Sequence, residues 1–322
     1  MDFSSAKQFD LHRRMVRIRL FEEAAGRLAE ANKLPGFLHL YVGEEAVASG
    51  VCGALNDDDH ITSTHRGHGH LVAKGGDFNR MMAELMGKST GYCKGKGGSM
   101  HISDTSLGML GANGIVGAGS PIAVGAAFAN KYRGNDNVAV AYFGDGAANQ
   151  GQVYESFNMA ALWQLPIIYI VENNRYAMGT STARATAQSN YSLRGSGFGI
   201  PGVQVDGMDV RAVKAAADEA LEHCRSGKGP IILEMLTYRY RGHSMSDPAK
   251  YRTREEVQDQ REHNDPIERA KKELLERGVS EDALKDTDKR IRTTVSASAD
   301  FAENSLEPPP SDLYTDVLVE SY

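Results

Sequence analysis

The fold is decided by the stretch from Val138 to Asn174, which reads VAVAYFGDGAANQGQVYESFNMAALWQLPIIYIVENN. Its two apolar runs, residues 138–143 and 166–171, predict buried strands, and the segment between them, 149–164, predicts a helix. A helix that joins two strands is the usual connection in a parallel sheet. We therefore expect a strand–helix–strand unit inside an α/β fold.

A polar motif follows each of the two predicted strands. Gly144-Asp145-Gly146 ends the first strand and Glu172-Asn173-Asn174 ends the second. Parallel sheets bind ligands at the carboxyl ends of their strands, so Asp145 and Asn174 are expected at one sheet edge. Oxygen ligands suit Mg²⁺, which usually bridges to phosphate because protein alone rarely encloses it. A third oxygen is available from a backbone carbonyl just beyond, where Tyr176 lies within reach. The motifs thus predict a metal-anchored diphosphate site.

Simpler interpretations of the same motifs also exist. Gly-Asp-Gly is a common turn, in which Asp145 caps the following helix, and Asn-Asn is an ordinary start of a loop. Asp145 can fill both roles at once, and the occurrence of both motifs at this spacing, each after a strand, favours the functional interpretation. Gly146 and Ala147 then open the helix, where their N–H groups can face the diphosphate.

Histidine and arginine side chains follow another predicted strand, residues 61–63. His65 and Arg66 come directly after it, and Arg offers a planar fork for phosphate oxygens. His65, His68 and His70 mimic a zinc site, but no carboxylate or cysteine completes the set nearby, and glycines alternate with them. A mobile loop that contacts phosphate or substrate is the favoured interpretation, and a solvated loop is the alternative.

His243 follows the last clear strand, within the sequence Arg239-Tyr240-Arg241-Gly242-His243-Ser244. A histidine at a carboxyl end can donate or accept a proton near neutral pH, although an exposed basic loop has the same appearance. The segment from Asn113 to Gly117 precedes a predicted helix, and its backbone can hydrogen-bond a flat heterocycle. A nicotinamide site is disfavoured, because no strong strand precedes Gly117-Ala118-Gly119.

Composition limits the class of protein. The chain has 322 residues, 41% of them hydrophobic, and a net charge of −6 without a basic tract, which argues against nucleic acid as a partner. The three cysteines are far apart and form no metal or disulfide pattern. No apolar run approaches the ~20 residues needed to span a bilayer. The first residues, Met1 to Ser5, lack the features of a leader, so a cytoplasmic protein is expected.

The rest of the chain predicts helices around the central unit. Helical spacing covers residues 6–32, 43–55, 79–86, 121–132 and 210–225, and further strands are expected at 203–206 and 230–236. Residues 87–120 are rich in glycine and predict a loop with close backbone approaches. Neither a repeat nor a linker divides the chain. We predict a single domain over 1–322, with a charged helical C-terminal extension over 255–322 that breaks near Asn264-Asp265-Pro266.

Four motifs resemble the alpha subunits of the pyruvate dehydrogenase family, the thiamine-diphosphate-dependent first component of 2-oxoacid dehydrogenase complexes. They are residues 94–101 (KGKGGSMH), 144–151 (GDGAANQG), 172–176 (ENNRY) and 242–248 (GHSMSDP). The spacing from Gly-Asp-Gly to Asn-Asn also resembles the thiamine diphosphate motif. The resemblance runs from about residue 9 to residue 270.

The resemblance implies an architecture and a set of site residues. The fold would be a three-layer, doubly wound, mostly parallel sheet with N- and C-terminal helical extensions, in an α₂β₂ heterotetramer. The cofactors would be thiamine diphosphate and Mg²⁺, with Asp145, Asn174 and the Tyr176 carbonyl as the Mg²⁺ ligands. The further cofactor contacts would be Arg66, Gly114, Val116, Gly146, Ala147 and His243. The candidate catalytic residues are His65 and His243.

One group that the implied chemistry requires is not found in the chain. The aminopyrimidine must be protonated by a carboxylate, and in the family this glutamate comes from the beta subunit. We therefore expect a beta partner. The expected reaction is oxidative decarboxylation of pyruvate, with transfer of the acetyl group to a lipoyl-bearing acyltransferase.

Two alternatives remain open. Residues 64–70 look more like acetoin dehydrogenase alpha chains, whereas residues 175–181 and 238–256 look like pyruvate members, so acetoin is the alternative to the favoured pyruvate. A non-catalytic paralogue that binds only a cofactor or partner is a possibility of another class. The intact Asp145 and Asn174, together with Arg66 and His243, argue against it.

Overall fold

The central feature of the computed structural model is a sheet of six parallel strands, and the structure describes residues 4–318. Met1 to Phe3, on which part of the leader argument depends, and the last four residues of the predicted extension lie outside that range. Among the described helices, none is long and apolar enough to cross a membrane.

Strands and helices alternate through the middle of the chain, and helices alone form its two ends. The strands are β1 (His60–Thr64), β2 (Met109–Asn113), β3 (Ala139–Gly144), β4 (Ile167–Asn173), β5 (Tyr176–Ala177), β6 (Thr180–Ser181), β7 (Gly202–Asp206) and β8 (Ile231–Leu236). The helices are α1 (Ser5–Glu30), α2 (Glu45–Cys52), α3 (His68–Ala73), α4 (Phe78–Leu85), α5 (Gly119–Arg133), α6 (Gly151–Leu162), α7 (Thr182–Ala185), α8 (Val210–Arg225), α9 (Arg254–Asn264), α10 (Pro266–Glu276) and α11 (Glu281–Glu303). Four 3₁₀ turns cover Thr105–Leu107, Ala147–Asn149, Tyr191–Phe198 and Pro310–Tyr314.

The strand order places a topological switch point beside β1. The order across the sheet is β2-β1-β3-β4-β8-β7, and every neighbouring pair is parallel. The chain runs outward from β1 to β2 and then crosses back to β3 on the other side of β1. The crevice outside the carboxyl ends of β1 and β3 is therefore the expected ligand site of this sheet.

Alternate residues of the central strands pack on opposite faces of the sheet. Val140 and Tyr142 of β3 contact the larger core, which includes apolar residues of α1 to α4, α8 and α11. Ala141 and Phe143 of the same strand contact a second core with α5 and α6. This period-2 alternation buries both faces, as parallel sheets require. The predicted α/β class and three-layer arrangement are confirmed.

The charged C-terminal region packs on the N-terminal helices. Asp265 caps α10 by accepting hydrogen bonds from the N–H groups of Ile267 and Glu268, and Pro266 occupies the first turn, so the predicted break is confirmed. A second break, which was not predicted, separates α10 from α11. Ile291 and Val295 of α11 enter the larger core. The extension thereby covers apolar surface of α1 and α4.

Two segments were predicted wrongly as loops. Residues 87–120 contain the sheet strand β2, which has few strand-forming residues (Met-Leu-Gly-Ala-Asn) and pairs with β1. A strand therefore does precede Gly117, so the reason given against a nicotinamide site is wrong. The predicted ligand site at the carboxyl edge of the sheet does not depend on this segment alone. His68 begins the six-residue helix α3, which is entirely buried rather than a mobile loop. The segment is helical because its two histidines are buried and bonded within the protein, which its polar sequence does not reveal.

Candidate active site

A cavity of about 300 Å³ lies at the switch point of the sheet. Its walls come from the ends of β1, β3 and β4, from the segment after β2, from β5 and from the chain after β8. Nine of the ten predicted site residues line it: His65, Arg66, Val116, Asp145, Gly146, Ala147, Asn174, Tyr176 and His243. Gly114 is not in the lining. The volume falls at the small end of ordinary ligand pockets.

The three predicted metal-ligand oxygens lie around one buried guanidinium. Arg239 donates from Nη1 to Asn174 Oδ1 at 3.3 Å and to the Tyr176 carbonyl oxygen at 3.0 Å. The Asp145 carboxyl is buried, which raises its pKa to about 6, and the Arg239 charge partly opposes that rise. The oxygens of Asn174 and Tyr176 thus already share one cation, the Arg239 guanidinium. The Asp145 carboxyl is close enough for the same charge to affect its pKa. An oxygen set of this kind fits Mg²⁺.

The buried carboxylate of Glu44 orients the amide of Asn174. Asn174 Nδ2 donates to Glu44 Oε1 at 3.0 Å, and Asn174 Oδ1 faces Arg239 instead. Burial, with the Glu172 charge beside it, raises the pKa of Glu44 to about 7. Its Oε2 is buried and has no hydrogen-bond partner among the described residues. Glu44 was not predicted from the sequence. It lies just before α2 rather than after a strand, so no strand-end motif marks it as a residue of the site.

Arg66 connects two of the loops around the cavity. It donates from Nη1 to the Leu40 carbonyl at 2.7 Å and from Nη2 to the His243 carbonyl at 2.9 Å. Burial lowers its pKa to about 10, with the nearby Arg239 charge as a further cause. Both terminal nitrogens of the guanidinium therefore already donate to backbone carbonyls. The predicted phosphate contact depends on the remaining N–H groups of Arg66.

Three histidines meet at one end of the cavity. His65 and His243 were predicted there, whereas His39, on the segment before α2, was not. The ring centroids of His39 lie 4.6 Å from His65 and 5.0 Å from His243, and the latter two are 5.1 Å apart. Burial lowers the pKa of His39 to about 3, of His65 to about 2 and of His243 to about 4, and the Arg66 charge adds to each effect. The three imidazoles are neutral at physiological pH.

The other two histidines of the predicted phosphate loop lie elsewhere. His68 Nδ1 is 3.1 Å from Glu22 Oε2 and its Nε2 is 2.9 Å from Ser99 Oγ. His70 lies between Ser63 and Glu172. Both rings are fully buried in α3 and hydrogen-bonded at both nitrogens. His68 and His70 therefore support the fold and do not line the cavity, which corrects the expectation for residues 64–70 as a whole.

Backbone groups complete the cavity wall. Gly146 and Ala147 line it, but they lead into the 3₁₀ turn at Ala147–Asn149, and α6 begins only at Gly151. Gly146 and Ala147 therefore open a 3₁₀ turn, and the predicted helix begins about one turn later than expected. The Val116 carbonyl accepts a hydrogen bond from Gln152 Nε2 at 2.6 Å, and the Val116 side chain is 50% exposed.

Two carboxylates besides Asp145 line the cavity, and both are on the β4 side. Glu44 bonds to Asn174, and Glu172 is held by the Tyr41 hydroxyl and by His70, whose Nε2 lies 3.1 Å away. Among the described residues that line the cavity, the segment after β2 contributes no carboxylate. A carboxylate for the heterocycle end thus has no candidate within this lining.

Comparisons with known proteins agree on one family. The dehydrogenase E1 component family matches residues 13–311. The chain is 61% identical to the pyruvate dehydrogenase E1 component subunit alpha of Rhizobium meliloti, over 99% of this chain and 92% of the relative. It is 54% identical to the subunit of the same name from Zymomonas mobilis, over 97% and 89%. The alpha subunit of acetoin:2,6-dichlorophenolindophenol oxidoreductase from Bacillus subtilis is 46% identical, over 99% and 96%.

Proposed function

This chain belongs to the dehydrogenase E1 component family, and from that premise we propose that it is the alpha subunit of a pyruvate dehydrogenase. The reaction is the oxidative decarboxylation of pyruvate, with transfer of the acetyl group to the lipoyl group of an acyltransferase. The observation that carries this proposal is 61% identity over 99% of the chain to a subunit of that name. The chain is thus part of an oxidoreductase.

The cavity fits thiamine diphosphate and Mg²⁺. Bound thiamine diphosphate supplies the electron sink that decarboxylation requires. Asp145, Asn174 and the Tyr176 carbonyl would hold Mg²⁺, and Arg239 would share its charge between these oxygens and the diphosphate. Glu44 Oε2 accepts no hydrogen bond from the described part of the chain and has only the ion pair with Arg66 at 3.9 Å, which supports a further ligand at this place, since buried polar atoms are normally hydrogen-bonded.

The remaining residues of the chain bind and orient. Gly146 and Ala147 would offer backbone groups to the diphosphate, and Val116 and Gly114, which does not line the cavity, would offer theirs to the aminopyrimidine. Arg66 fixes the loops that carry His39 and His243. His65 and His243, neutral at physiological pH, would exchange protons or hydrogen bonds with the reacting groups.

A beta subunit would complete the site, in an α₂β₂ assembly. Large apolar side chains on α5, α6 and the segment after β2 support a partner that covers this face, because monomeric proteins rarely expose so many together. They are Ile115, Val116, Ile122, Phe128, Tyr132, Leu162 and Trp163. The cytoplasmic location stays a prediction.

Acetoin is the second candidate substrate. It is favoured by the 46% identity to the acetoin oxidoreductase subunit and by residues 64–70. The two functions share the cofactor site and differ in the bond that is cleaved. The histidine cluster is the part of the cavity where they would be distinguished.

The test is turnover by the chain assembled with its beta subunit, with dichlorophenolindophenol as electron acceptor. We expect a higher kcat/KM for pyruvate than for acetoin. The opposite order would replace the proposal with acetoin oxidation. Tight cofactor binding without turnover of either substrate would instead support a non-catalytic paralogue.

A further inference from the structure

Three histidines from separate parts of the chain converge on a small space. His39 precedes α2, His65 follows β1 and His243 follows β8. Each offers one ring nitrogen, and these three atoms all lie within 4.8 Å of one another. Metal-bound imidazole nitrogens lie closer than this, since Zn–N bonds measure about 2.0–2.1 Å. Ring movements of roughly 1 Å would bring the three atoms onto one ion.

Two of the ring nitrogens have no partner in the protein. His39 Nδ1 and His65 Nε2 are buried, and neither has a hydrogen-bond partner within residues 4–318. His39 is only 7% exposed. Buried polar atoms are almost always paired, so two unpaired ones in a single cluster of rings indicate a ligand. The cluster therefore differs from the fully bonded His68 and His70.

Two backbone hydrogen bonds position the third histidine. The His243 N–H donates to Asp247 Oδ2 at 2.6 Å, and its carbonyl accepts from Arg66. The same Arg66 side chain donates to the Leu40 carbonyl, next to His39. One guanidinium thus fixes the distance between two of the loops. A site whose ligands are held in this way needs little reorganisation.

The charges around the cluster have two opposite effects. Burial and the Arg66 charge keep the three imidazoles unprotonated, so their lone pairs are available without release of protons. Arg66 and Arg239 also repel a dication, and they are opposed by Glu44, whose Oε2 lies 3.9 Å from Arg66 Nε, and by Asp247 beside His243. The affinity should therefore be moderate, and higher when anionic groups occupy the cavity.

We propose that His39, His65 and His243 form a binding site for a single borderline transition-metal ion such as Zn²⁺. Three imidazoles with an open fourth position are a known Zn²⁺ ligand set, whereas Mg²⁺ prefers the oxygens of Asp145 and Asn174. The cavity would then contain two cation sites that differ in ligand chemistry. Zn²⁺ would compete with the substrate for the imidazoles, a consequence that rests on the proposed function.

The test measures metal binding directly, with no turnover. The assembled alpha and beta chains, loaded with Mg²⁺, are titrated with Zn²⁺ against a chromophoric chelator, and Co²⁺ absorption reports the coordination geometry. We expect one Zn²⁺ per alpha chain and the spectrum of tetrahedral Co²⁺. His39→Ala and His65→Tyr should each weaken binding by more than about 100-fold, since loss of an outer hydrogen-bond partner alone costs 10–100-fold.

His263→Ala is the matched control. His263 is exposed on α9 and pairs with Asp259, so this pair is the obvious adventitious surface site. The proposal is overturned if His263→Ala removes the binding, if both cluster variants bind like the parent, or if no Zn²⁺ binds at micromolar concentration. His65→Tyr keeps an aromatic ring in place, so it guards against loss of folding in His39→Ala. Because no substrate is present, failure of the proposed function would leave this result unaffected.

Discussion

The Asp145 carboxyl group is 3% exposed at the end of β3. Burial raises its pKa from 3.8 to about 6. The unfolded chain releases this proton at a lower pH than the folded chain does. The group therefore destabilises the metal-free fold fully above about pH 6, and the penalty disappears as the pH falls through 6 to 3.8. A bound cation would remove the same penalty at neutral pH.

Asp145→Asn should stabilise the metal-free protein and abolish Mg²⁺-dependent binding of thiamine diphosphate. At about pH 8 the free energy of unfolding should rise by up to about 3 kcal/mol, from roughly two pKa units at 1.36 kcal/mol each. Near pH 4 the gain should vanish. Chemical denaturation at the two pH values and calorimetric titration of the assembled protein measure the two effects.

Asp136→Asn is the control for this substitution. Asp136 is exposed just before β3, at the opposite end of the strand. It should change neither quantity. Unchanged cofactor affinity in Asp145→Asn would refute the metal assignment, whatever happens to stability.

Arg239→Lys should weaken cofactor binding and lower the melting temperature. The buried guanidinium donates to Asn174 Oδ1 and to the carbonyls of Tyr176 and Met178, and a single ammonium cannot reach all three. Each acceptor left unsatisfied costs about 1–3 kcal/mol. Thermal denaturation with and without cofactor measures the loss. Arg241→Lys, at an exposed position two residues on, should melt like the parent; equal melting of Arg239→Lys would contradict this role.

At the scale of elements, the small β5–β6 hairpin packs directly on the turn after β3. A Cβ atom at Gly146 would lie 2.5 Å from the Cβ of Ala177, closer than two side chains can approach. The φ angle at Gly146 is −67°, so its backbone is open to any residue and only the contact requires glycine. The hairpin carries the Tyr176 carbonyl, so this contact sets the distance between two segments that are proposed to bind the cofactor.

Gly146→Ala should therefore push the hairpin away from the cavity and reduce cofactor affinity by at least tenfold. Gly151→Ala is the matched control, because a Cβ there meets nothing within 4 Å, and alanine in α6 should stabilise by about 0.5–1 kcal/mol. Calorimetry with thiamine diphosphate and thermal melts measure the pair. Equal affinities of the two variants would show that the hairpin does not position the site.

At the scale of the whole molecule, the strand order gathers residues that are far apart in sequence. The ends of β1, β3 and β4 adjoin, and the chain after β8 supplies Arg239 and His243. The carboxyl groups that line the cavity, those of Glu44, Asp145 and Glu172, are on this side. The segment after β2 presents exposed Ile115 and Val116 instead. This geometry supports the proposed assembly, in which a beta subunit would supply the other wall of the site.

The isolated alpha chain should accordingly show no turnover of pyruvate, and addition of the beta subunit should restore it. The carboxylate that protonates the aminopyrimidine is expected from the partner, because Glu44 bonds to Asn174, Glu172 accepts from the Tyr41 hydroxyl, and Asp145 is the proposed Mg²⁺ ligand. Steady-state turnover of the chain alone and of the pair measures this. Activity of the chain alone would contradict the prediction, and Glu44→Gln would then identify whether Glu44, with its pKa of about 7, is the source.

Most of the elements follow from local patterns. The helix predicted at 210–225 matches α8 residue for residue, and β3 and β4 differ from prediction by one or two residues at each end. Their apolar runs or helical spacing leave little ambiguity. The exceptions, β2 and α3, are formed by Gly- and His-containing segments. The first adopts regular structure because β2 pairs with β1. The second does so because buried glutamates bond to the histidines of α3.

The sequence by itself determined the α/β class, the Asp145–Asn174 pair and nine of the residues that line the cavity, because strand ends in a parallel sheet share one edge. Only the tertiary structure decided which histidines are free. His68 and His70 bond to buried partners, whereas His39 joins His65 and His243 from a segment with no strand signal. Tertiary structure also brought Glu44 to the amide nitrogen of Asn174, and Arg239 to two of the oxygens proposed as Mg²⁺ ligands. Contacts of this kind depend on chain crossings between distant segments, which local periodicity does not encode.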